Sequence, residues 1–374
     1  MSNVTDTPLV NTTESVGPSA QEIHLRWRAA FAAAIARMET PPLATTIISV
    51  TFMILIILGN LWVIMAVIRQ PKLRNSATNV FIVSMSISDL IIGVAFVPIH
   101  ITDFAYGRYT SSPVLCFITG FLHSCAMCGT TFSLIAIGFD RYRAIVHPLK
   151  PKMTVQQGLV CSGVIWLVCV VYSIQVYANF GIKTFTQQSG NETIIVAQVC
   201  TVIRPDIDKW MRVEYFCVLY AIPLVILGLL YGIMIKTLWF GKSPSNSSNR
   251  SKKKAVKMLS FVVLQFALTW GPLYSLQIYY SHETNPPYNA LLFSTTPANI
   301  SILLSLCNSC INPVLYAYYN ENFQKEFVKL FPCFYKKTKV APEPAAAAPS
   351  NTNTGTLIRS QRTQTTSANP TTTT

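Results

Sequence analysis

Charged side chains are scarce in this chain. Asp, Glu, Lys and Arg make up 12% of its 374 residues, against roughly 25% in soluble domains. Acids are the scarcer sign, with 15 Asp and Glu against 29 Lys and Arg. A net charge of +14 would point to nucleic acid in a soluble protein. Here the bases fall in short gaps between apolar runs, where they report membrane topology, and no nucleic-acid partner is expected. The first 40 residues lack an apolar core behind a basic start, so no cleavable signal peptide is visible and the first apolar run would direct its own insertion. No internal repeat is found, which disfavours a transporter or channel. The ten cysteines lack the paired spacings of zinc sites. Most sit inside apolar runs, where a buried thiol is the ordinary role.

What the chain has is long hydrophobic stretches. Seven runs near 20 residues or longer occupy about 43–68, 79–104, 113–145, 155–180, 210–240, 254–281 and 291–317. A helix rising about 1.5 Å per residue crosses a hydrocarbon core of about 30 Å with runs of this length. The gaps after runs one, three and five hold Arg69, Lys72 and Arg74, then Arg143, Lys150 and Lys152, then Lys236, Lys242, Arg250, Lys252, Lys253, Lys254 and Lys257. The other gaps hold fewer bases and carry Asp103, Glu192, Asp206, Asp208 and Glu283. The positive-inside rule then places the N-terminus outside and the C-terminus in the cytosol.

The resulting expectation is an all-α membrane protein. Residues 1–42 form an extracellular tail, 43–319 a seven-transmembrane helix bundle, 320–333 a short amphipathic eighth helix on the inner face, and 334–374 a disordered cytoplasmic tail. The eighth helix is read from Phe323, Phe327 and Phe331, spaced by four, with Lys325 and Lys329 between them. Cys333 beside it is an S-palmitoylation candidate. Asn3, Asn11 and Asn191 head N-glycosylation tripeptides, and Asn246 heads another in an inner gap. The stretch 25–38 is an Ala- and Arg-rich helix former. The final residues are dense in Ser and Thr and suit phosphorylation.

Run three is the stretch around which the others are organised. It opens at Cys116, which can be oxidised outside the cell, and closes with Asp140-Arg141-Tyr142. Arg141 can pair with Asp140 or release it, and Tyr231 and Tyr316 fall near the same depth. Polar residues in mid-span are functional candidates by default. Asp89 lies there, with Thr130, Asn308 and Ser309 at comparable depth. Two alternatives stand: a hydrated site for a small monovalent cation such as sodium, or a protonated carboxyl bonded to the same neighbours. Pro223, Pro272 and Pro313 interrupt runs five, six and seven, where each removes a backbone hydrogen bond and makes a hinge.

Together these residues resemble the rhodopsin-like family of G-protein-coupled receptors over about 43–335. The resemblance rests on Gly59-Asn60, Ser88-Asp89-Leu90, Asp140-Arg141-Tyr142, Trp166, Pro223 with Tyr231, Phe266-x-x-x-Trp270-x-Pro272, and Asn308-Ser309 with Asn312-Pro313-x-x-Tyr316. It implies a disulfide from Cys116 to Cys200. It also implies a plasma-membrane receptor that is not an enzyme, needs no cofactor beyond a possible sodium ion, and partners a heterotrimeric G protein, receptor kinases and arrestin. An agonist would shift the bundle between states, run six would swing at Pro272 near Trp270 and Phe266, and Arg141, Tyr231 and Tyr316 would repack, with Tyr142, Asn312 and Pro313 in the same switch. Opsins carry a lysine where this chain has Leu306, and aminergic receptors an aspartate where it has His123. Cys200-x-x-x-Arg204-Pro205-Asp206 is similar to the Cys-x-x-x-Trp-Pro-Asp of cholecystokinin- and RFamide-type receptors, and Thr193–Thr201 is β-prone like their hairpins. The expected ligand is a neuropeptide, with a biogenic amine or other small molecule as the alternative. Its contacts are expected at Thr119, His123, Tyr215, Tyr274, Gln277 and Ile302, and Asp103, Asp206, Asp208 and Glu283 would attract a basic peptide.

The chain departs from the family in places. Thr269 replaces a usual Cys, no proline lies between Trp166 and Asn179, and 107–115 lacks the usual Trp. Lys252 stands where many amine receptors and opsins have an acid that pairs with Arg141, which leads to an expectation of raised basal activity. A rival reading is a zinc-dependent membrane hydrolase using His100, Asp103 and His123. It leaves Asp140-Arg141-Tyr142 without a role.

Overall fold

Apolar length dictates helices, and helices dominate the computed structural model, which describes residues 43–106, 112–189, 192–240, 246–281 and 296–330. Helix α1 is Leu43–Arg69, followed by a one-turn helix, Pro71–Arg74. Helix α2 runs Ala77–Ile91, passes through a π turn at Ile92–Phe96 and continues as Val97–Tyr106. Helix α3 is Pro113–Val146 and α4 is Val155–Asn179. Strands β1, Phe180–Ser189, and β2, Glu192–Val202, form an antiparallel hairpin that pairs Ile182 with Cys200. Helix α5 runs Pro205–Phe216, a π turn at Cys217–Ala221, and Ile222–Phe240. Helix α6 is Asn246–Ser281, α7 is Thr296–Tyr319 and α8 is Glu321–Leu330. Seven of these helices are long and apolar enough to cross a membrane. All described residues belong to one unit, Met1–Leu330; residues 331–374, with Cys333, form another that lies outside the described residues. Asn3, Asn11, Asn191, Glu283 and the stretch 25–38 also lie outside them.

The helix starts follow local chemistry. Ser112 caps α3 by accepting from the Leu115 backbone N–H at 3.3 Å, ahead of Pro113. Thr154 and Gln157 open α4 as a reciprocal capping box at 3.0 and 3.2 Å. The second span and α3 are the most buried, each with 56% of its most apolar 18 residues inside the bundle, against 17% for α4. The core joins Phe81, Met85, Leu134, Ile137, Met234, Phe266 and Tyr316 across the helices, while Leu58, Leu167, Leu229 and Leu268 face outward. Outward leucines are what a hydrocarbon solvent permits.

The prolines explain much of the remaining detail. Each lacks the N–H that would satisfy the carbonyl four residues earlier. Thr131 Oγ1 on α3 donates to the Leu219 carbonyl, freed by Pro223, at 3.3 Å. Asn60 Nδ2 on α1 donates to the Ser309 carbonyl, freed by Pro313, at 3.1 Å. Near Pro272, the Tyr220 hydroxyl on α5 donates to the Ala267 carbonyl at 2.8 Å. Breaks were expected in runs five, six and seven. The second span has one as well, the π turn just before Pro98. Further side-chain bonds pin neighbours: Ser133 Oγ and Trp166 Nε1 both donate to Ser84 Oγ, at 2.9 and 3.0 Å.

Asn60 is wholly buried, and its removal strands a carbonyl in hydrocarbon. Asn60→Ala is expected to cost about 1–3 kcal/mol. The measurement is the thermal midpoint of purified protein, which should fall while the helical circular-dichroism signal is retained.

Candidate functional site

Two clusters of polar residues occupy the interior, and a third group lies toward the outer end. In the middle of the bundle Asp89 is fully buried. Ser309 Oγ donates to its Oδ1 at 2.6 Å, and Asn312 Nδ2 donates to its Oδ2 at 3.1 Å, so one carboxylate joins α2 to α7 on both sides of the turn before Pro313. The Thr130 hydroxyl is buried with no partner among the described residues. Asn308 turns to α6: its backbone carbonyl and Oδ1 accept from Gln265 Nε2 at 2.8 and 3.3 Å. Of the three residues expected to join Asp89 in the mid-bundle site, Ser309 alone bonds it directly. Asn312, expected in the switch, is the second partner.

At the inner end, Asp140 Oδ2 lies 3.0 Å from an Arg141 guanidinium nitrogen. It also accepts from Thr78 Oγ1 on α2 at 2.5 Å. Arg141 is thus folded back onto its own helix. Its Nε and the hydroxyls of Tyr231 and Tyr316 are buried and unbonded among the described residues. Buried polar groups normally find partners, so three groups stand ready to bond in another arrangement. Tyr142 packs edge-on against His147 at 5.7 Å between ring centres. The inner end of α6 is held by two basic side chains: Lys254 Nζ pairs with Glu321 at 3.2 Å, and Lys253 Nζ lies 5.0 Å from the Trp239 ring centre. Lys252 therefore removes one family tether, but α6 remains tied to α8 and α5.

The ligand candidates do not all converge. Tyr274 is buried in an aromatic stack with Tyr220 at 5.1 Å, Trp270 at 6.1 Å and Phe216 at 6.4 Å, and Tyr220 also meets Phe266 at 6.0 Å. The Tyr215 hydroxyl donates to Ser124 Oγ at 3.4 Å, and its ring packs on Tyr172. The Thr119 hydroxyl donates to the Leu115 carbonyl of its own helix at 2.7 Å. His123 stacks on Phe96 of α2 at 4.2 Å, and His100 stacks on the same ring at 5.8 Å. Ile302 is buried in α7, and Gln277 is half-buried on α6. Asp208 is paired with Arg212 at 2.9 Å, so its charge is already matched. The side chains of Asp103 and Asp206 lie outside the described residues. The two histidines proposed for a hydrolase stack on a phenylalanine, and no cluster of three or more metal-ligating side chains occurs among the described residues. Over the outer end, Cys116 and Cys200 are joined in a disulfide that fixes the hairpin to α3.

Three contributors went unnoticed in the sequence. Gln265 is a polar residue in mid-span and carried the same signal as Asp89. Tyr220 lies three residues before Pro223. Thr78 looked like a loop residue at the edge of run two.

Residues 59–316, more than half of the chain, match the family described as 7 transmembrane receptor (rhodopsin family). Among curated proteins the chain is 28% identical over 320 residues to neuropeptide FF receptor 2 of Rattus norvegicus, covering 81% of this chain and 76% of that one. It is 29% identical to the allatostatin-A receptor of Bombyx mori, covering 74% and 76% of the two chains. It is 28% identical to galanin receptor 2b of Danio rerio, covering 79% and 77%.

The bonds around Asp89 yield a direct test. Ser309→Ala alone leaves one buried carboxylate oxygen without its donor and should cost about 1–3 kcal/mol. In an Asp89→Ala background the same change should cost far less, because the acceptor is gone. A double-mutant cycle on thermal unfolding measures the difference.

Proposed function

Because the chain belongs to the rhodopsin family of seven-transmembrane receptors, we propose that it binds a neuropeptide at its outer end and couples that event to a G protein within the cell. The protein is a G-protein-coupled receptor and not an enzyme. The observation that carries the peptide reading is that relatives spanning most of the chain are named as receptors for neuropeptide FF, allatostatin-A and galanin. Two features of the chain support it. His123 stands where an amine receptor would need an acid, and a hairpin stapled to α3 leaves an extended edge beside the mouth of the bundle.

The mechanism follows from the clusters. A peptide that contacts Tyr215, Gln277 or His123 more favourably in one arrangement biases the bundle by that difference alone. Tyr274 and Ile302 lie deeper and pass the contact on, Tyr274 through its stack on Trp270. The stack sits against Pro272, where α6 can swing. Outward movement of its inner end breaks Lys254–Glu321 and opens the inner face beside Tyr316. Arg141 then leaves Asp140, which stays bonded to Thr78, and the Tyr231 and Tyr316 hydroxyls gain partners. A heterotrimeric G protein binds the opened face. Sodium, when bound, would be held by the Asp89 carboxylate with the Ser309 and Thr130 hydroxyls, an oxygen set that suits a hard monovalent cation. Its charge would offset that of Asp89. The N-terminus is outside, with glycosylation at Asn3, Asn11 and Asn191. The C-terminus is in the cytosol of a plasma-membrane receptor, with Cys333 acylated and the Ser- and Thr-rich tail presented to kinases and arrestin.

Membranes containing the protein are expected to catalyse guanine-nucleotide exchange on a G protein when neuropeptides are added, and Arg141→Ala should abolish it. His123→Ala should raise the half-maximal peptide concentration about tenfold, or 1.4 kcal/mol, at unchanged surface expression. Exchange without ligand should exceed that of membranes lacking the protein, given Lys252, and Thr78→Ala should raise it further. A response to amines and to no peptide would reverse the ligand assignment.

A further inference from the structure

Where α1 reaches its inner end, it and α8 enclose a cleft of about 370 Å³. That lies within the roughly 300–1,000 Å³ of small-molecule sites. No switch residue and no ligand candidate lines it. Its floor is Trp62, Met65 and Ala66, and its rim is Arg69, Glu326 and Lys329. The Trp62 indole packs edge-on against Phe327 at 5.6 Å and tilted against Phe323 at 5.9 Å, so α8 rests on the apolar face of that ring. The Trp62 Nε1–H is buried and makes no hydrogen bond among the described residues.

The rim carries an unusual set of charges for a membrane-facing cleft. Glu326 is nearly buried and pairs with Lys329 at 2.6 Å. Arg69 is exposed and makes no ion pair with any described residue. The rim therefore presents two cations and one anion, net positive, above an apolar floor with one unused N–H donor. The occupant that matches is an amphiphile with two anions and one cation in its head, net negative.

We propose that this cleft binds phosphatidylserine from the inner leaflet. The lipid phosphate meets Arg69. The serine carboxylate and ammonium meet Lys329 and Glu326, opening that pair into a larger alternating array. An acyl chain lies along Met65 and Ala66, and Trp62 Nε1–H donates to an ester carbonyl. Glu326 provides the selectivity. A lipid whose head carries only anions, such as phosphatidylglycerol or a phosphoinositide, sets negative charge against that carboxylate. Phosphatidylserine is an abundant anion of the cytoplasmic leaflet, where basic side chains at helix ends attract it. The proposal rests on the inward placement of α8 only for the choice of leaflet.

The test uses the full chain in phosphatidylcholine nanodiscs, which offer lipid to both faces, so the result is independent of orientation, peptide binding and G-protein coupling. The discs contain equal minor amounts of phosphatidylserine, phosphatidylglycerol and phosphatidylinositol bisphosphate, and native mass spectrometry counts the lipids retained. Phosphatidylserine is expected to be retained over phosphatidylglycerol by about fivefold, the upper worth of the one further charge pair that its ammonium makes with Glu326. Arg69→Gln should lower that retention several-fold while Arg69→Lys keeps most of it, and Glu326→Gln should erase the preference over phosphatidylglycerol. The proposal is overturned if Arg69→Gln retains as much as the unaltered chain, or if Arg69→Lys loses as much as Arg69→Gln. Preferential retention of either competitor, or survival of the preference in Glu326→Gln, overturns it equally.

Discussion

Hydrocarbon offers no partner for a backbone carbonyl, and that constraint shapes this bundle more than any packing preference. Four of the spanning helices contain a proline within their apolar length, and each proline unbonds a carbonyl. At Leu219 and Ser309 the freed carbonyl is claimed by a side chain of another helix, Thr131 and Asn60. Tyr220 reaches the Ala267 carbonyl beside a third. The same bonds join α3 to α5, α1 to α7 and α5 to α6. A local defect in each helix thereby becomes a specific contact between helices, in a solvent where apolar faces alone do little to choose neighbours.

That economy places the mid-bundle and inner clusters on a contiguous path. Gln265 on α6 holds Asn308, whose neighbour Ser309 holds Asp89, which also holds Asn312. Tyr316 is one turn further along α7, with its hydroxyl buried and unbonded among the described residues. A displacement of α6 at Pro272 acts on this line through one amide. The path is spatial. At its inner end Arg141 has one charge partner, Asp140, which also accepts from Thr78, while the Arg141 Nε and the Tyr231 and Tyr316 hydroxyls are unbonded among the described residues.

Composition revealed the spans and not the helices. Run five was placed from 210, yet α5 begins at Pro205. Run six was placed from 254, yet α6 begins at Asn246. In both cases the helix continues through charged residues, Asp208 to Arg212 and Lys252 to Lys254, where hydropathy reads the edge of the hydrocarbon and not the end of the hydrogen-bond ladder. The π turn before Pro98 was not seen because register leaves no mark in composition. Cys116 and Cys200 were legible because the family resemblance ties them and the hairpin strand around Cys200 is β-prone. The partnership of Gln265 with Asn308 was not, because it depends on how α6 and α7 are rotated against each other. His123 was legible as a departure from an acid, but its stacking on Phe96 depends on the π turn that rotates the outer part of α2.

The staple between Cys116 and Cys200 spans 84 residues of sequence, with most of α3, all of α4 and most of the hairpin between its ends. It can close only once the Cys116 end of α3 and the hairpin lie in the same oxidising compartment. If α3 and α4 entered upside down, both thiols would remain among cytosolic reductants and stay open. Closure thus reports that the Cys116 end of α3 and the hairpin have reached the same oxidising side of the membrane.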